Sequence, residues 1–277
     1  MIVDCHVHTP TQYETQEVAQ LSAKGYRADK QYKRNIGWAE FQAAMAPVDK
    51  LILLGLAAGN RTPNDDIARW AALWPEKIVP LCSVDPNDRG AMDELVRAVE
   101  TLGAKGVKLS PHYMDHDPMD PRALAIYAYA ERKGLPVAFH QATSPSRTAP
   151  LRYAHPMALD EVATAYPELR IVVAHFGHPW QPDTIALIRK HPHVYTDISA
   201  QFYRPWQFYN ALVLCMEYAQ LHKVFFGTDF PVTTPQETLD TLRSVNDIVD
   251  GTRLPRIPAD EIEAIIHRDV LGLLGIG

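Results

Sequence analysis

Apolar residues occur along this chain in short, regularly spaced runs. IVDCHVH starts at Ile2, KLILLGL at Lys50, KIVPLCSV at Lys77, AKGVKLS at Ala104, LPVAFH at Leu135, RIVVAHFG at Arg170, HVYTDIS at His193 and KVFFGTD at Lys223. The runs are rich in Val, Ile, Leu and Phe, too short for helices, and bounded by Gly, Pro and polar residues, which marks buried strands. After a longer first interval they begin roughly 25 to 35 residues apart, enough for one helix and two short loops. The punctuation between them agrees. Asp120 followed by Pro121 reads as an N-cap and a first-turn proline, and Gly134 closes that helix. Thr234, Pro235 and Glu237 form a capping box for a helix expected to run to about Gly251. Other helices are expected to begin near Thr62, Asp88, Pro156, Gln181, Pro205 and Pro258.

Eight buried strands alternating with helices imply a parallel sheet of the α/β class. At this length the first choice is a (β/α)8 TIM barrel, one domain over residues 1–277. An open doubly wound sheet is the runner-up. No G-x-G-x-x-G follows a strand, so its nucleotide-binding form has no support. A long insertion, Thr9 to about Gly37, follows the first strand and carries Tyr13, Tyr26 and Tyr32 among polar residues. It is a candidate lid, or else a surface excursion.

Composition narrows the function classes. With 47% hydrophobic and 22% charged residues among 277, the chain suits an ordinary soluble fold with a sizeable core. A net charge of -6 argues against a nucleic-acid partner, which needs a basic surface. LILLGLAAG from Leu51 is too short to span a bilayer, and the N-terminus lacks a signal-peptide pattern, so no membrane partner and a cytoplasmic location are expected. Cys5, Cys82 and Cys215 lie far apart in apolar context and read as buried thiols in a reducing compartment. A small molecule is the default partner, and a homo-oligomer is left open.

The polar residues inside the apolar runs carry the chemistry. In DCHVH, Asp4, His6 and His8 alternate with Val3, Cys5 and Val7, so the polar three are expected to share one strand face and Cys5 and Val7 to pack outward. Chemistry in this fold sits at the C-terminal ends of the strands. Of 12 histidines, His191, His193, His222 and His267 lie elsewhere, and His112 and His116, beyond Pro111, are expected to be exposed. His6, His8, His140 and His175 come at the exits of the first, fifth and sixth strands, and Asp229 at the exit of the eighth. Imidazole and carboxylate together are what a borderline cation such as Zn2+ selects. Asp4 reads as a carboxylate supporting that site. After His140 come Arg147, Arg152 and Tyr153, and arginine at a barrel mouth suits capture of a carboxylate, favouring an acidic substrate. His178 and Trp180 follow His175 and are candidates to line the pocket, with Tyr203, Arg204 and Trp206 further out.

The stretches VDCHVHTP, GAKGVKLSP, LPVAFHQ, IVVAHFGHPW and VFFGTDFP resemble, in this order over the whole chain, the strand ends of the amidohydrolase superfamily. The resemblance is to the branch containing aminocarboxymuconate-semialdehyde decarboxylase, resorcylate-type decarboxylases and several lactone hydrolases. It implies that His6, His8, His140 and Asp229 bind one divalent cation, Zn2+ before Mn2+, and that His175 sits beside it. Asp229 would act as general base on cation-activated water, and His175 would polarise a carbonyl or protonate a leaving group. In other branches a carboxylated lysine on the fourth strand bridges two metals. Lys108 is therefore that group, an ammonium for a substrate carboxylate, or a lysine turned outward. Asp269 stands where the family usually has Asn, far from the expected site. The resemblance thus implies a hydrolase of C-O (ester or lactone) or C-N bonds. The alternatives are a non-oxidative decarboxylase of an aromatic or muconate-type acid and a barrel that binds metal or ligand without turnover. The shortness of the chain favours hydrolysis.

Overall fold

Each apolar run forms a strand: β1 Val3–Val7, β2 Lys50–Leu54, β3 Ile78–Ser83, β4 Val107–Leu109, β5 Val137–Phe139, β6 Ile171–Val173, β7 Val194–Asp197 and β8 Val224–Phe225. In the computed structural model, which describes residues 1–9, 36–58, 61–144 and 146–277, they pair in parallel in chain order. The chain beyond β8 returns to β1. The Cys5 amide donates to the Phe226 carbonyl at 3.0 Å, the Asp229 amide to the His6 carbonyl at 2.8 Å and the His8 amide to the Phe230 carbonyl at 3.0 Å. The sheet thus closes into a (β/α)8 barrel, as expected. The insertion expected over residues 9–37 lies, from residue 10 to residue 35, outside the described residues.

The helices are α1 Trp38–Ala44, α2 Asn64–Leu73, α3 Ala91–Glu100, α4 Pro121–Lys133, α5 Leu159–Ala165, α6 Gln181–Lys190, α7 Pro205–Glu217, α8 Pro235–Arg243, α9 Ala259–Ile266 and α10 Val270–Leu274. Their caps are those written in the sequence. The Asp120 carboxylate accepts from the Arg122 amide at 2.9 Å, Gly134 takes a left-handed φ of 68°, and Thr234 and Glu237 satisfy each other's amides. The helix begun at Thr234 stops at Arg243 rather than near Gly251, and only a short 3-10 turn, Asp247–Val249, follows. Among the described residues, no helix is long and apolar enough to cross a membrane. All three cysteines are buried and unpaired.

Strand alternation divides the apolar residues into two layers. Val107, Leu109, Val137, Phe139, Ile171 and Val173 pack outward with helix residues such as Leu95, Ile126 and Ile185. Burying each such side chain contributes about 1.5–3 kcal/mol. The alternate residues, including Ile52, Leu54, Val172 and Phe225, fill the barrel with Val270, Leu271 and Leu274 of α10. Asp269 caps α10 by accepting from the Gly272 amide at 3.1 Å. One expectation fails at β1. Val3 and Cys5 belong to the inner layer and Val7 to the outer one, because the pairing with β2 shifts register between Asp4 and Val7. The irregularity turns the strand partway along, so His6 reaches the barrel mouth although Cys5 also faces inward.

Candidate metal centre

Four strand ends supply the polar groups. His6 is the penultimate residue of β1 and His8 lies just beyond it, His140 follows Phe139 at the end of β5, and His175 sits in the turn after β6. Asp229 follows β8. His175, Phe176 and Asp229 have φ of 58°, 53° and 63°, a left-handed backbone that costs a non-glycine residue about 1–2 kcal/mol. Specific bonds hold it. The His175 amide donates to Asp197 Oδ1 at 3.0 Å and its carbonyl accepts from Gln201 Nε2 at 2.8 Å. The Asp229 amide is held by the His6 carbonyl. Gly177 continues the left-handed turn, and a Cβ there would overlap the Thr184 hydroxyl.

The side chains converge. Asp229 Oδ1 lies 3.2 Å from His8 Nε2 and 3.6 Å from His6 Nε2. Ligand atoms of His6, His175 and Asp229 fall within 4.8 Å of one another, and His140 Nδ1 is 3.3 Å from His175 Nε2. Neighbouring ligands on a tetrahedral Zn2+ at 2.0–2.1 Å are about 3.4 Å apart, so these separations match a cation's coordination edges. The tightest triple contains His175, with His8 and His140 at its margins.

Protonation supports the same conclusion. His6 Nδ1 lies 3.0 Å from Asp197 Oδ2; a carboxylate only accepts, so Nδ1 carries the proton and Nε2 is a bare lone pair. Burial, reinforced by Lys108, pushes the His6 pKa down to about 3 despite Asp197, leaving the ring neutral. Burial alone would raise Asp229, but His175, His8 and His6 hold its carboxyl down at about 2. A lone pair thus faces a carboxylate with no proton between them, an arrangement a cation resolves. His6 Nε2, His8 Nδ1, His140 Nε2 and Lys108 Nζ are buried without a hydrogen-bond partner among the described residues. The residues present therefore fit a divalent cation.

The family model described as Amidohydrolase matches residues 3–268. The chain belongs to the amidohydrolase family. Similar folds include an uncharacterised TIM-barrel protein of Bordetella bronchiseptica, 20% identical, TM-score 0.79, covering 99% of this chain and 98% of that one. A probable 2-pyrone-4,6-dicarboxylic acid hydrolase of Acinetobacter baumannii with citric acid bound is 17% identical, TM-score 0.67, with 99% of each chain covered. A dihydroxybenzoic acid decarboxylase of Polaromonas with bound manganese and an inhibitor is 16% identical, TM-score 0.68, covering 99% and 97%. Hydrolases and decarboxylases together agree with the branch expected from the sequence.

In this chain the other sequence candidates fall into two groups. Lys108 is fully buried and points into the barrel, since Val107 and Leu109 face the helices; it is not turned outward. Burial pushes its ammonium down to about 8 against the pull of Asp197 and Asp229. His178 is buried with its pKa lowered to about 4 by burial and Arg204. Tyr153 and Trp180 are half-buried. Arg147 and Arg152 are exposed, and Arg152 lies 3.6 Å from Asp115 and stacks on Tyr153. His112 and His116, expected to be exposed, are instead buried. The chain after Pro111 folds back, and the His112 ring packs 4.8 Å from that of His140. Asp4, also buried, accepts from the Thr228 hydroxyl at 2.7 Å, and burial raises its carboxyl to about 7. Sequence reading missed Asp197, Ser199 and Gln201, although Asp197 ends β7 and obeys the same strand-exit rule that marked Asp229.

Proposed function

We propose that residues 1–277 act as one metal-dependent hydrolase that cleaves a C-O bond of an ester or lactone, or a C-N bond, in a small carboxylate-bearing substrate. The observation that carries the reading is the bare His6 Nε2, 3.6 Å from the Asp229 carboxylate, at a point reached also by His8 and His175. His6, His8, His140 and Asp229 would hold the cation, Zn2+ before Mn2+. Bound there, it would polarise a carbonyl and make water more acidic. Asp229, ionised, accepts the proton of the attacking water at its carboxylate. His175 donates Nδ1–H to Ser199 Oγ at 2.7 Å, which leaves Nε2 as the atom that takes up a proton and passes it to the leaving group. Lys108 would pair with the substrate carboxylate from inside the barrel, while Tyr153, His178 and Trp180 line the approach. Arg147 and Arg152 would attract acids at the rim.

One cation is the simpler assignment. Asp197 and Asp229, both ionised, exceed the single ammonium of Lys108 by one charge among the described barrel residues, which one divalent cation covers. A carboxylated Lys108 would add a further negative charge and require two. Metal counted per chain separates these cases.

Decarboxylation of an aromatic or muconate-type acid is the second reading, favoured by the Polaromonas fold; there His175 Nε2 would deliver the proton to carbon. The test uses the chain stripped by chelation, with metal loss verified, against a panel of carboxylated lactones, esters and aromatic acids. Acid release that disappears with the metal and returns with Zn2+ or Mn2+ is expected. Release of CO2 instead would establish the second reading, and full activity without metal would end both. Cation binding with no turnover on the panel would favour a non-catalytic barrel.

A further inference from the structure

Asp197 on β7 divides its two carboxylate oxygens between two tasks. Oδ1 accepts from the His175 amide at 3.0 Å, from the Ser199 amide at 3.0 Å and from the Ser199 hydroxyl. Oδ2 accepts from His6 Nδ1 at 3.0 Å. The carboxylate is 1% exposed, so no water substitutes for these donors. Ser199, having given its proton to Asp197, accepts from His175 Nδ1 at 2.7 Å and lies 3.3 Å from His6 Nδ1. One carboxylate and one hydroxyl thereby fix the tautomers of two histidines from different strands. Both rings carry the proton at Nδ1; His6 turns a bare Nε2 toward Asp229, and His175 turns Nε2 toward His140 Nδ1, 3.3 Å away.

We infer that Asp197 is the positioning residue of this site: through Oδ2 it sets the His6 tautomer that a cation requires, and through Oδ1 and Ser199 it sets that of His175. The inference rests on the metal reading above, since a cation binds only a ring nitrogen that has no proton. A neutral His6 protonated at Nε2 would offer no lone pair to the centre. Partners behind metal-binding histidines govern affinity by this route.

The division of labour yields a selective variant. In Asp197→Asn the remaining oxygen must occupy the Oδ1 position, because three donors point at it. The amide nitrogen then occupies the Oδ2 position and donates to His6 Nδ1. That forces the His6 proton onto Nε2 while every bond made by Oδ1 is kept. A purely structural role would make this nearly isosteric change mild.

The experiment uses the full chain with 15N-labelled histidine. Ring-nitrogen spectra of the metal-free protein report the tautomers, competition with a chromophoric chelator reports Zn2+ affinity, and thermal melting reports the fold. Asp197→Asn is expected to move the His6 proton to Nε2 and weaken Zn2+ at least tenfold, with metal-free Tm within about 2 °C of the parent. Ser199→Ala is expected to keep Zn2+ affinity within about threefold while His175 loses its single tautomer. Zn2+ binding by Asp197→Asn within threefold of the parent, or a His6 proton that stays on Nδ1, would overturn the proposal. A His175 still held wholly as Nδ1–H in Ser199→Ala would overturn the part assigned to Ser199. Should the parent take up no Zn2+, the metal reading fails by itself, and the His6 tautomer in Asp197→Asn still decides the role of Asp197. If that variant does not fold, the Ser199→Ala spectrum decides.

Discussion

Asp229 owes its reach to a left-handed backbone, and its chemistry to a carboxylate kept ionised among three imidazoles. Replacing it with Asn keeps the shape and a ligand oxygen but removes the proton acceptor. Asp229→Asn is expected to lower kcat at least hundredfold on any substrate the panel yields, while cation content remains measurable. Equal kcat in the variant would move the base elsewhere. Lys108 invites the opposite experiment. Its buried ammonium is the lone cationic side chain facing Asp197 and Asp229 inside the described barrel. Lys108→Met is therefore expected to lower the melting temperature of the metal-free protein and to tighten divalent-cation binding about tenfold, because a competing positive charge is gone. Calorimetric titration with Zn2+ checks both the sign and the size.

The strands and helices show which parts of the structure were legible in the sequence. All eight strands, the caps at Asp120 and Thr234 and the five converging side chains could be read from periodicity and strand polarity. The β1 register shift could not, because pairing irregularity depends on the neighbouring strand and leaves no mark on DCHVH itself. His112 was misjudged for a related reason: a loop's composition does not say whether it folds back over the barrel. Asp197 is as legible in TDIS as Asp229 is in FFGTD, since both stand at the exit of a strand. Surface pairing between elements also carries a testable charge effect. Asp160, in the first turn of α5, accepts from Lys190 Nζ at 2.7 Å and from His191 Nε2 at 2.7 Å at the end of α6. Lys190, then His191, holds its carboxyl below the usual value. A lowered carboxylate stabilises above its unfolded pKa of about 3.9 and loses that contribution as pH falls through its folded value. Asp160→Asn is thus expected to cost about 2 °C of Tm at pH 7, and the gap should narrow below about pH 4. Scanning calorimetry at pH 7 and pH 3 measures it.

Across the whole molecule the buried charges and the barrel closure meet at the same end. A protein whose lumen holds more carboxylate than ammonium is stabilised by whatever cation restores the balance. Zn2+ in about thousandfold excess over its dissociation constant would contribute about 4 kcal/mol, or about 8–16 °C of Tm for a chain near this size. Differential scanning with and without chelator gives the number, and no shift with Zn2+ or Mn2+ would remove the centre from the account. The seam between β8 and β1 adds a constraint in time. Asp229 donates its amide to the carbonyl of His6, so the last group of the site arrives with the bond that shuts the barrel. A chain emerging from the ribosome holds His6 and His8 from the start yet has no Asp229 to set against them until most of its length has been synthesised. Loading of this centre is therefore a late event of synthesis, and a truncation before residue 229 would leave the histidines of β1, β5 and β6 without the carboxylate they share.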